Sequence, residues 1–295
     1  MSEISIKNLK NSIGKDVQIN GWVYNIRSIG KIWFVIVRDG TGYVQCVVTK
    51  NDVSDKVFKL ENSLTQESSL KIKGTVQADT RSDSGVEILV TDIDVVHIAD
   101  EYPISLKEHG VSFLMDNRHL WLRSKKQFAI MKIRHQLIRS IRNFFDDREF
   151  VLIDSPIFTA NAVEGTTTLF ETDYFNRSAY LSQSGQLYQE AGAIAFGKTY
   201  CFGPVFRAEK SKTRKHLTEF WMVEPEMAYC DINQNMDIIE EFMSNVIKDT
   251  LDNCVDELKI LERDVSKLEN ISAPFPRISY DEAVEILTKK GHEFE

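Results

Sequence analysis

The chain has 295 residues, 42% hydrophobic and 27% charged, with a formal net charge of -8. That composition belongs to a soluble globular protein with room for two domains, and it speaks against a general polyanion binder. No apolar run nears the ~20 residues of a membrane span, and the opening MSEISIKNLK lacks the apolar core of a signal peptide. A cytoplasmic location without a membrane partner is expected. Cys46, Cys201, Cys230 and Cys254 lie far apart with no paired spacing, which predicts free thiols rather than a disulfide framework or a zinc site. Charge is segregated: residues 118–148 hold nine Lys/Arg against two Asp/Glu, and residues 237–264 hold nine acidic against three basic. A polyanionic partner would therefore meet selected surfaces only.

Residues 16–98 carry the alternation of a compact β domain. Strands are predicted at Val17 to Ile26, Lys31 to Arg38 and Tyr43 to Thr49, with turns at Ser28-Ile29-Gly30 and Asp39-Gly40-Thr41-Gly42. A short helix from Asp52 to Asn62 follows, then strands Ser69 to Ala78 and Val86 to His97. Three strands, a helix and two strands is the order of a five-stranded OB barrel, a fold that commonly takes single-stranded nucleic acid on aromatic rings. Trp22, Tyr24, Trp33, Phe34 and Tyr43 supply rings, each either barrel core or stacking surface, and Arg27, Lys31 and Arg38 supply charge. This barrel takes residues 1–100, and residues 101–122, with Pro103 and Gly110 and no clear periodicity, form a linker.

The second domain, residues 123–295, opens with Ser124 capping a helix to about Arg148, whose apolar positions keep helical spacing. A strand from Phe150 to Ser155 stops at Pro156, and the small polar run Ala160 to Leu169 is a loop holding Glu164-Gly165. After a strand at Ala179 to Ser184, Ser184 is placed to cap the helix Gln186 to Phe196, where Gln186, Gln189 and Glu190 are expected to share a face. Two apolar arms follow, Thr199 to Arg207 and Leu217 to Tyr229, joined by a loop with Lys210, Lys212, Arg214 and Lys215. A hairpin with a cationic tip is a natural grip for a polyphosphate. Alternation puts His216, Thr218, Phe220, Met222 and Glu224 on one face, and Gly203 opposite leaves room for a ligand. A long amphipathic helix is then expected from Asn233 to about Arg263, with Ile239, Phe242, Met243, Val246, Ile247 and Leu251 as its stripe, and a last helix ends near Lys290.

The hairpin run FRAEKSKTRKHLTEF resembles motif 2 of the class II aminoacyl-tRNA synthetases. GWVYNIRSIGKIWFVIVRDGTGYVQ resembles the anticodon-binding barrel of their aspartyl/asparaginyl/lysyl subgroup, and FDDREFVLIDSPIFTA resembles motif 1. The fold this resemblance implies is α+β: an N-terminal five-stranded OB β-barrel, then a class II antiparallel sheet with flanking helices. The chemistry it implies is ATP-dependent activation of an amino acid and its transfer to tRNA. By the same resemblance Arg207 is catalytic and binds the α-phosphate of ATP, Glu209 meets the adenine amino group, His216 the terminal phosphates, and Phe220 the adenine ring. Glu164 would close on the amino acid's ammonium group and Gln186 would hold its α-amino or α-carboxyl group. Phe34 would stack on an anticodon base beside Arg27 and Gln45, and Pro156 would sit in a homodimer interface.

Aspartate-specific relatives carry Gln-Ser-Pro-Gln-x-x-Lys, whose lysine pairs with the substrate carboxylate. Here the stretch ends in Gln189. Without that cation, Glu224 would repel an aspartate side chain but accept a hydrogen bond from an amide. SQSGQLYQE, FWMVEPE and RDVSKLEN also resemble asparaginyl-tRNA synthetases. The substrates implied are L-asparagine, ATP and tRNA(Asn), with Mg2+ as cofactor. No Gly-x-Gly-x-x-Arg pattern of motif 3 follows Tyr229, and the acidic magnesium ligands of the family are expected beyond Glu295, so a truncated form with impaired or no activity is expected. The alternatives are a non-catalytic tRNA-binding or dimerising derivative, and a relaxed aspartyl/asparaginyl enzyme.

Overall fold

A computed structural model describes residues 2–82, 84–105, 107–160, 169–209 and 216–292. They form two compact units, Met1–Trp121 and Leu122–Glu295. The first contains strands β1 (Ser2–Glu3), β2 (Asp16–Ile29), β3 (Ile32–Arg38), β4 (Tyr43–Thr49), β5 (Ser69–Ala78) and β6 (Val86–His97). β2 pairs with both β3 and β5, and β3–β4–β6–β5 completes the circuit, so five strands close on themselves while β1 adds a short parallel edge to β2. The closure follows from a period of two. Trp33, Val35 and Val37 of β3, and Val44, Cys46 and Val48 of β4, all turn inward and are almost wholly buried. Such a closed sheet leaves few unpaired edges.

Small departures from the expected elements have local causes. β2 runs on to Ile29, and the turn falls at Gly30, whose φ of +65° suits glycine. The expected helix at Asp52 to Asn62 begins later, because Ser54 accepts from the Val57 amide. It splits into α1 (Asp55–Phe58) and a 3-10 turn at Lys59–Asn62. Two short helices, α2 (Val111–Asp116) and α3 (Arg118–Trp121), lie within residues 101–122.

The second unit is built on α4 (Lys125–Asp146), with Ser124 Oγ accepting from the Gln127 amide. Strands β7 (Val151–Leu152), β8 (Phe158–Thr159), β9 (Glu171–Tyr174) and β10 (Arg177–Leu181), helix α5 (Gln186–Phe196), and strands β11 (Lys198–Phe206) and β12 (Glu219–Met227) follow. α6 (Ile232–Asn253), α7 (Val255–Ile260), α8 (Ser266–Glu269) and α9 (Tyr280–Lys289) end the order. β11 and β12 form a regular nine-pair antiparallel ladder, and β7 joins β11 in parallel. A separate sheet has the order β8-β10-β9. One face of the ladder packs Tyr200 and Phe202 on Phe144, Phe145 and Phe150, with Ile238 and Phe242 of α6 against them. The Tyr200 ring stacks on Phe145 at 4.8 Å and its hydroxyl donates to Asp146 at 2.8 Å, tying the sheet to the end of α4.

Three expectations change here. The strand expected over Phe150 to Ser155 pairs as a ladder only at Val151–Leu152, opposite Thr199 and Tyr200, with the Ile153 amide still donating to the Tyr200 carbonyl at 2.9 Å. The long helix breaks at Cys254 (φ -123°, ψ 31°), whose amide closes α6 onto the Thr250 carbonyl. Its buried stripe is also rotated: Ile238 and Phe242 face the core, whereas Ile239 and Met243 are 50% and 39% exposed. Adjacent apolar residues leave the periodicity ambiguous, and packing chose between them.

Gly74 marks where β5 and β6 press closest. A Cβ there would lie 2.2 Å from the Leu89 carbonyl oxygen, and the register shifts between Lys73 and Gly74. A main-chain atom in a closed barrel has little freedom to yield. Gly74→Ala is expected to cost about 2–3 kcal/mol in urea unfolding monitored by tryptophan fluorescence, and a cost below roughly half a kcal/mol would show that the barrel can open at this bulge.

Candidate active site

The hairpin closes at its open end through the Arg207 amide, which donates to the Thr218 carbonyl at 3.0 Å. Cys201, Gly203 and Val205 pair with Glu224, Met222 and Phe220, so these six positions share the face opposite the aromatic core. Arg207 reaches back along this face and sets its guanidinium over the Phe220 ring, 5.5 Å from its centre. Arg207, Glu209, His216, Leu217 and Phe220 line a cavity of about 410 Å3. A Cβ added at Gly203 would meet nothing within 4 Å, so open space adjoins the strand there, as expected. Residues 210–215, which carry the cationic tip, and Glu164 lie outside the described residues.

Glu224 closes the other end of this face. Its Oε1 accepts from the Ser184 hydroxyl, its Oε2 accepts from the Gly185 amide at 2.9 Å, and the Cys201 thiol stands 3.5 Å from Oε2. Ser184 Oγ also accepts from the Gln186 amide at 3.1 Å, so it caps α5 from one residue before Gly185, the N-cap. Gln186 and Glu190 are exposed and hydrogen-bonded at 3.0 Å. Gln189 does not share their face. It is wholly buried, donating to the Ile153 carbonyl at 2.7 Å and to Ser155 Oγ at 3.4 Å, with its Oε1 unpartnered. The helix turns this position inward onto the segment after β7, so Gln189 lines neither the cavity of Arg207 nor that beside Glu224. Glu226, which sequence reasoning passed over, continues the face of Glu224. Burial, then Glu190 and Glu224, hold its carboxyl above the usual carboxylate range. The same alternation that selected Phe220 and Glu224 would have found it.

On the barrel, Arg27, Phe34 and Gln45 come together. The Arg27 guanidinium lies 4.8 Å from the Phe34 ring centre and donates to Gln45 Oε1 at 2.7 Å, while Gln45 Nε2 donates to Glu87 at 3.1 Å. The five rings divide as alternation dictates: Trp33 is core, Phe34 is half-buried on the outer face, and Trp22 is 42% exposed beneath Arg38. Pro156 is exposed, followed by Ile157 and Phe158, which are 45% and 50% exposed.

An OB barrel with an Arg–Phe–Gln patch, followed by a hairpin that sets an arginine over a phenylalanine in a cavity, defines a class II tRNA synthetase architecture. Residues 17–96 match the profile of the OB-fold nucleic acid binding domain, and residues 110–294 that of tRNA synthetases class II (D, K and N). The chain belongs to that family, and its similarity runs to the asparaginyl members. It is 54% identical over 294 residues to the asparagine–tRNA ligase of Pelotomaculum thermopropionicum, covering 100% of this chain and 68% of that one. The asparaginyl-tRNA synthetase of Pyrococcus horikoshii complexed with asparaginyl-adenylate superposes with a TM-score of 0.89 at 41% identity, covering 97% of this chain and 66% of that one. The Entamoeba histolytica asparaginyl-tRNA synthetase in complex with asparaginyl-adenylate gives 0.83 at 28% identity, covering 99% and 67%. The chain spans about two thirds of the length of these relatives. Among the described residues, no helix is long and apolar enough to cross a membrane.

The cysteine beside Glu224 offers a pH test. Burial, then the Glu224 carboxylate, push the Cys201 thiol up to about 12 from an ordinary 9.0. The folded state therefore keeps a proton that the unfolded chain releases near pH 9. The resulting stability is complete below about pH 9 and is lost as pH rises towards about 12. Cys201→Ala should flatten the fall in urea midpoint between about pH 9 and pH 11, and an alkaline slope unchanged from the unaltered chain would assign that fall to other groups.

Proposed function

We propose that this chain is the anticodon-binding barrel and the hairpin half of the catalytic site of an asparagine–tRNA ligase. The parent reaction joins the carboxylate of L-asparagine to the α-phosphate of ATP, releasing pyrophosphate, and then passes asparagine to the 3′ end of tRNA(Asn). The observation that carries this reading is the single hairpin face on which the Arg207–Phe220 pair and the anchored Glu224 are spaced along two strands. Phe220 offers a stacking surface for adenine, and Arg207 a fixed positive charge for the phosphate at which charge builds in the transition state. Glu209 and His216 line the same cavity and complete the nucleotide contacts.

Glu224 sorts the amino acid. An ionised carboxylate only accepts hydrogen bonds, so it favours an amide NH2 and opposes a second carboxylate. Gln189 keeps the neighbouring interior neutral where aspartate-specific relatives place a lysine. Gln186 and Glu164 are assigned to the α-amino end of the substrate, and the exposed strip at Pro156 to a homodimer contact. Among the described residues no three His, Cys, Asp or Glu converge as a metal site, and the Mg2+ of the reaction is assigned to the ATP phosphates, which such an ion binds together with one or two carboxylates.

Asparagine-dependent ATP–pyrophosphate exchange tests the assignment. A chain extended to the length of its relatives should exchange, with Arg207→Ala lowering the rate about 10²–10³-fold. Exchange supported equally by aspartate would remove the role given to Glu224. For the barrel, Phe34→Ala should weaken an asparagine-anticodon stem-loop by about 1–3 kcal/mol, the worth of one stacked base. An unchanged Kd would take Phe34 out of the interface.

A further inference from the structure

Gly185 is a glycine without a conformational reason to be one. Its φ of -86° and ψ of -2° are helical values open to every L-residue. What excludes other residues is space. A Cβ there would lie 2.5 Å from Cys201 Sγ, 2.6 Å from Ser155 Oγ and 3.3 Å from Glu224 Oε2. Cys201 is buried and paired in register with Glu224, so its sulfur has little room to retreat. The absent side chain allows the first residue of α5's approach to press against β11 and β12, and this brings the Gly185 amide within 2.9 Å of Glu224 Oε2.

The second carboxylate oxygen is held by the neighbouring residue, through the Ser184 hydroxyl. Two consecutive residues thus grip the two oxygens separately, one by main chain and one by side chain. A carboxylate gripped at both oxygens cannot rotate about its last bond without breaking a hydrogen bond; Oε2 also takes the Cys201 thiol, and Oε1 keeps a lone pair for a further donor.

We propose that Gly185 is a specificity-determining position, acting through Glu224: its bare amide fixes the carboxylate in the orientation that separates an amide from a carboxylate substrate. This rests on the asparagine-activating reading given above. Gly185 is a positioning residue and touches no substrate. A side chain at 185 pushes α5 off the hairpin, lengthens the amide–carboxylate contact and frees Glu224 to turn away. The preference for asparagine over aspartate then falls, even where the fold survives.

The test is calorimetric binding of L-asparagine and of L-aspartate, each with a non-hydrolysable ATP analogue, to a chain extended to the length of its relatives and to three variants of it. Gly185→Ala should lower the asparagine-to-aspartate affinity ratio about tenfold or more. Gly185→Ala with Cys201→Ala removes the 2.5 Å collision while keeping the amide, leaves the 2.6 Å one to a Ser155 hydroxyl that can turn to another rotamer, and should recover most of the ratio. Ser184→Ala, which adds no atom, should lower the ratio as well. Retention of the full ratio by Gly185→Ala would overturn the proposal, as would failure of the double variant to recover it while its Tm returns. A readout without substrate separates this idea from the functional reading: the Gly185 amide proton resonance should move upfield in Glu224→Ala. If it does not move, the grip on Glu224 does not exist. If it moves but the extended chain binds neither amino acid, the grip stands and the asparagine reading falls, taking the specificity role with it.

Discussion

The hydrogen bonds from Ser184 and Gly185 to Glu224 join the start of α5 to the middle of β12, and the working face of the hairpin is referenced to that junction. Strand side chains alternate, so a shift of one residue in the β11–β12 ladder would send Phe220 and Glu224 to the aromatic core and Trp221 and Val223 to the cavity. The aromatic packing of Tyr200 and Phe202 on Phe145 opposes such a slip from the apolar side. The carboxylate opposes it from the polar side, because a Glu224 turned into the core would lose all its donors and carry a buried charge. Stability and chemistry thus depend on the same register.

The barrel solves a parallel problem with other means. Closing five strands turns one face of each inward, which leaves the outer face free of packing duty. On that face Arg27, Phe34, Gln45 and Glu87 form a chain of contacts in which each polar group has a partner before any ligand arrives. Side chains already ordered lose less freedom on binding. The net charge of the whole chain obscures this patch, since charge is segregated and residues 237–264 alone carry nine acidic against three basic residues.

Much of this was legible in the sequence because it rests on local periodicity. The barrel strands alternate cleanly, Ser124 announces α4, and the two arms of the hairpin contain the alternation that puts Phe220 and Glu224 together. The misreadings cluster where two answers are locally equal. Ile238 and Ile239 are adjacent and both apolar, and only the core decides which is buried. Gln189 sits at helical spacing that serves either face, and Ile153 and Ser155 drew it inward. The break at Cys254 has no glycine or proline to announce it. The small sheet of β8, β9 and β10 was partly missed, since two of its strands are only two and four residues long.

Sequence alone determined the two-part organisation, the barrel, the hairpin and the residue types on its ligand-facing side, because alternation and motif order are properties of neighbouring residues. Tertiary structure decided what holds those residues in place. Glu224 is gripped by residues 39 and 40 positions away, and Gly185 is constrained by Ser155 and Cys201 on other segments. A glycine with ordinary backbone angles gives no local sign of why it is there. Its reason is the space that distant atoms occupy, and that exists only after the chain has folded.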